Sequence, residues 1–124
     1  MAANKTFRFG PLALTNTLTT NILNPATATG GTNGGSSSQY IILRHIRIVN
    51  KTAGAVTFSL WLGATGANAA GTEFIGTALS IPANTPYDWY SPGLRIDAAD
   101  FLVGGSNTAT ALTIEGEGEI GVAG

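Results

Sequence analysis

The chain has 124 residues, 17 of them glycine and none cysteine, and only 10% are Asp, Glu, Lys or Arg. That length suits one domain over residues 1–124 with one core, and the missing cysteines exclude disulfides, thiolate metal sites and thiol nucleophiles. A formal net charge of -1 withholds the basic field that nucleic-acid binding needs.

Met1 to Gly10 has no apolar h-region, and nowhere do about 18 apolar residues run uninterrupted. The expectation is a soluble chain with no membrane partner. Within this first stretch Phe7 and Phe9 share one strand face, and Lys5 and Arg8 can reach acidic groups. Two uses follow: an attachment arm over 1–9 that adds to a neighbouring sheet edge, with Lys5, Phe7, Arg8 and Phe9 as assembly contacts, or the chain's own first strand. The arm is the preferred reading.

Leu12 to Leu23 can supply one or two Thr-rich strands. Residues 24–39 are rich in Gly, Ser, Thr and Asn, the composition of a flexible loop. Tyr40 to Asn50 is a strand whose apolar set changes parity, Ile41 and Leu43 against Ile46 and Ile48, so a bulge is expected at Arg44-His45. Asn50 to Gly54 has the residues of a tight hairpin turn, leading into Gly54 to Leu62, where Val56, Phe58, Leu60 and Leu62 face a core. After a second loop, Gly63 to Thr72, strands are expected over Glu73 to Ile81 and Tyr87 to Tyr90, with prolines marking turns or edges. Leu94 to Ile96 and Phe101 to Val103 flank a turn at Asp97 to Asp100. The final strand runs from about Ala109 to Val122, with Leu112, Ile114, Gly116, Gly118, Ile120 and Val122 on one face and Glu115, Glu117 and Glu119 on the other. About eight short strands at this spacing predict an all-β fold, an antiparallel β-sandwich with the jelly roll as candidate topology.

The chemistry-bearing residues favour ordinary structural uses. Gly116 to Gly121 matches the GxGxxG string, but no helix can follow it to receive a pyrophosphate. His45, the single histidine, has no GxSxG nucleophile to serve. Three glutamates along one strand face do not make a calcium cage unaided. Asp97 and Asp100 suit turn capping better than glycoside cleavage. Trp61, Tyr87, Trp89 and Tyr90 are candidates for a glycan-stacking platform, with core or interface packing the preferred use. No catalytic, cofactor or metal residue is therefore assigned, and the chain is not expected to be an enzyme. Every basic residue except Arg95 lies at or before Lys51, whereas every acid lies after it. Either the two halves interleave and neutralise one another, the preferred reading, or a basic edge of one copy meets an acidic edge of the next.

The stretch Tyr40 to Gly63, YIILRHIRIVNKTAGAVTFSLWLG, resembles small virion proteins of tailed bacteriophages. The shared order is a hydrophobic strand, an Ile-Arg-Ile-Val-Asn end, a Thr-Ala-Gly-Ala turn and an alternating strand. Farther on, the proline-bracketed Ile81 to Asn84, the turn within Ile96 to Leu102 and a Thr/Ala strand ending in Gly-Glu, Thr108 to Glu117, are similar too. The resemblance implies a non-enzymatic structural component present in many copies. The expectation is a capsid decoration or cement protein that stabilises the assembled head, located in the virion, homo-oligomeric and partnered by the major capsid protein or other virion proteins. A tail or neck component and a host-glycan binding module are the alternatives.

Overall fold

A computed structural model describes residues 5–25, 39–64, 66 and 73–122. Among these residues there are eight strands: β1 (Lys5–Ala13), β2 (Asn21–Leu23), β3 (Gln39–Asn50), β4 (Val56–Gly63), β5 (Glu73–Ile81), β6 (Thr85–Ile96), β7 (Phe101–Ser106) and β8 (Leu112–Val122). They form two four-stranded sheets, sheet A in the order β1-β8-β3-β6 and sheet B in the order β2-β7-β4-β5, and every pairing is antiparallel. Every connection except β4–β5 passes from one sheet to the other, which is the winding of a jelly roll. The expected antiparallel β-sandwich is the fold observed.

Alternation along the strands explains the core. Ile41, Leu43, Ile46 and Ile48 of sheet A and Phe58, Leu60 and Leu102 of sheet B are at most 1% exposed and meet between the sheets. Each such burial stabilises the fold by about 1.5–3 kcal/mol. The parity change in β3 is resolved as expected, because its pairings with both β6 and β8 shift register between Leu43 and His45. The extra residue, Arg44, stays exposed, so both apolar pairs face inward.

Three expectations are corrected. Tyr40 to Leu62 is not a hairpin: β3 lies in sheet A and β4 in sheet B, so residues 51–55 arch across the sandwich and both strands bury a face against each other's sheet. Tyr87 to Tyr90 and Leu94 to Ile96 belong to one strand, β6, which passes through Ser91-Pro92-Gly93 opposite the β3 bulge. Pro92 is tolerated there because β6 is an edge strand.

The third correction concerns the amino terminus. Lys5 to Phe9 pair in regular register with Ile120 to Gly116 of β8, and Phe7 and Phe9 are 2% and 0% exposed in the core. The two rings that suggested an arm are buried by the chain's own sandwich, and Arg8, on the opposite face, stays exposed. Gly116 makes room for this, because a Cβ there would run into the Phe9 ring. Residues 1–4 of the expected arm, 26–38 of the expected loop 24–39, and 65 and 67–72 of the second loop lie outside the described residues.

Candidate functional site: the charged face of sheet A

Strand order turns the split in charge along the sequence into stripes. The strands of sheet A carry Lys5 and Arg8 on β1, Glu115, Glu117 and Glu119 on β8, Arg44, His45 and Arg47 on β3, and Asp88 and Arg95 on β6. The strands of sheet B carry a single ionisable residue, Glu73. The three glutamates of β8 thus run between cations of β1 and β3, which is the interleaving of the two halves within one sheet.

The pairs are formed on the outer face. Arg8 Nη2 lies 3.4 Å from Glu115 Oε2, and Arg44 Nη2 lies 2.8 Å from Glu119 Oε2. Arg44 also donates from Nη1 to the Pro92 carbonyl at 2.6 Å, so one side chain fastens the bulge to both neighbouring strands. His45 sits between two carboxylates, Nε2 2.8 Å from Asp88 Oδ1 and Nδ1 3.3 Å from Glu117 Oε1. Arg47 Nε approaches the same Asp88 oxygen at 3.5 Å. At the end of the sheet the Arg95 guanidinium lies over the Tyr40 ring, 4.2 Å from its centroid. Exposed pairs of this kind each contribute about 0–1 kcal/mol, so their main effect is on register and on the character of the surface. An open depression of about 280 Å³ lies among Arg8, His45, Arg47, Glu115, Gly116 and Glu117.

The four aromatic candidates are dispersed. Trp61 is 5% exposed, Tyr87 packs near Phe58 with ring centroids 5.7 Å apart, and Trp89 meets Phe74 edge-on at 4.7 Å. Tyr90 alone of the four stands out, 73% exposed, stacked on the His45 ring at 4.6 Å and 12°. Its parity with Asp88 along β6 was the signal that could have separated it from Trp89 and Tyr87.

Among the described residues neither His45 nor the acidic residues form a hydrolytic arrangement. Both ring nitrogens of His45 face carboxylates, and no group of three His, Asp or Glu side chains among the described residues is placed to hold a metal ion. Asp97 and Asp100 close their turn: the Asp100 amide donates to the Asp97 carbonyl at 2.9 Å and the Asp97 amide to Asp100 Oδ2 at 3.1 Å. Gly116 to Gly121 lies inside β8. Of the expected assembly contacts, Arg8 is on the charged face, Phe7 and Phe9 are core residues, and Lys5 begins β1. No protein-family model matches the chain, and no curated protein matches it in sequence.

Proposed function

We propose that this protein is a structural component of a bacteriophage virion, a capsid decoration or cement protein that sits in many copies on the assembled head against the major capsid protein. The observation that carries the proposal is the segregation of charge: sheet A neutralises its own ions, while the strands of sheet B hold only Glu73. The exposed positions of these strands, Asn21, Ala78 and Ser80 beside Glu73, offer few charges to desolvate, so a neighbouring protein can cover them at low cost. Weak contacts of this kind become firm when a repeating lattice engages many copies at once. The jelly-roll winding is a fold that viral shell proteins use among many others, and the resemblance of Tyr40 to Gly63 to tailed-phage virion proteins points the same way. A tail or neck component is the variant of this proposal within the particle.

The direct test is co-sedimentation of the purified chain with phage heads that lack it. Saturable binding at a fixed number of sites per head is expected. A monomer that stays in the supernatant at every concentration contradicts the proposal.

A further inference from the structure

We propose that the outer face of sheet A holds a binding site for a neutral saccharide, built from Tyr90, His45, Asp88 and the depression bounded by Arg8, Arg47 and Glu117. This site is independent of where in a particle the chain resides. The two large apolar side chains exposed among the described residues are Leu18 and Tyr90; the polar side chains around Leu18 are all uncharged, whereas Tyr90 stands beside ionisable groups. Its ring is not free to turn: it lies nearly parallel to the imidazole of His45, its cross-strand neighbour, at 4.6 Å. His45 is in turn held between Asp88 and Glu117. A fixed, solvent-facing ring of this kind suits the apolar C–H face of a pyranose.

The groups around it suit the hydroxyls. Asp88 is engaged through Oδ1 and Glu117 through Oε1. That leaves Asp88 Oδ2 and Glu117 Oε2, with no partner among the described residues, as acceptors on carboxylates already oriented through their other oxygen. The side chains of Arg8 and Arg47, 59% and 44% exposed, line the depression and provide donors. Charge decides the ligand class. Among the residues that line the depression Arg8 and Arg47 offset Glu115 and Glu117, and Asp88 beside it is already engaged by His45 and Arg47, so an ion of either sign gains little, whereas a ligand presenting adjacent donors and acceptors with no charge of its own can use both. A depression of about 280 Å³ is at the lower end of small-ligand sites, which fits a sugar unit rather than an extended cofactor. Its openness predicts weak, avidity-dependent binding.

The test is titration of the intact, 15N-labelled protein with maltotetraose, mannotetraose and galactotetraose, and with tetragalacturonate as the charged counterpart. At least one neutral probe is expected to give saturable amide shifts centred on residues 45, 88, 90 and 117. Tyr90→Ala and Glu117→Gln are each expected to weaken that binding by about tenfold or more while leaving the unfolding transition in place, and Ser80→Ala on sheet B is expected to leave it unchanged. Saturable shifts confined to another surface, tighter binding of the uronate, full binding by both site variants, or no saturable shift with any neutral probe overturns the proposal.

Discussion

Asn50, the last residue of β3, donates its side-chain amide to the carbonyl of Ile81, the last residue of β5, at 2.9 Å, and so ties sheet A to sheet B at the corner where the chain crosses. The same amide reaches the carbonyls of Gly54 and Pro82 at 2.9 and 3.2 Å, and Asn50 Oδ1 accepts from the Thr52 amide and hydroxyl at 2.9 and 2.7 Å. The side chain is fully buried, so Asn50 is a structural corner. Replacing Asn50 by Ala removes a donor from the buried bond to the Ile81 carbonyl and from the part-buried bonds to Gly54 and Pro82, and is expected to cost about 2–4 kcal/mol in urea denaturation. A loss under about 1 kcal/mol would mean that water replaces the amide without penalty.

Leu60 on β4 is wholly buried between the sheets. Leu60→Ala is expected to cost about 2–5 kcal/mol, the lost transfer energy plus the cavity left behind. An unchanged denaturation midpoint would show that its face of β4 is not the core face.

The amino-terminal strand is part of the fold. Phe7→Ala and Phe9→Ala are each expected to lose about 3–5 kcal/mol, whereas Arg8→Ala, whose ion pair is exposed, should change stability by no more than about 1 kcal/mol. Deletion of residues 1–9 should destabilise the domain before any attachment is measured. A deletion variant that unfolds like the intact chain contradicts this assignment.

Gly118 shows how closely β8 and β3 approach, because a Cβ on it would collide with the Ile42 carbonyl of β3. Gly118→Ala should therefore cost about 1–3 kcal/mol or more through strand separation. Gly54→Ala, where nothing lies within 4 Å of the added atom, is the matched control and should be nearly silent. Equal stability of the two variants, followed by thermal unfolding, would refute the close approach.

Strands were legible wherever apolar residues alternate, and β5 in particular runs from Glu73 to Ile81 as its pattern indicates. The bulge at Arg44-His45 was also legible, because a change of parity within one strand has few other solutions. Which strands pair was less so. Two strands with one buried face each and a short connection can lie side by side or face each other, and the choice between hairpin and arch is made by β6, β7 and β8, far along the chain. Phe7 and Phe9 announced burial without saying in whose sheet. The charged face depended on the same information: Arg44 and Glu119 are 75 positions apart and become neighbours only once β8 is inserted beside β3. The corner role of Asn50 was hidden because a turn-forming asparagine and a buried cross-sheet donor look alike in sequence.

The central claim is tested most directly by immunogold electron microscopy of purified phage particles carrying an epitope-tagged copy of this chain, with mass spectrometry of the same preparation. Regular labelling over the head surface, with the chain present in many copies per particle, is the predicted result. Particles that are infectious, fully assembled and free of the chain would contradict it.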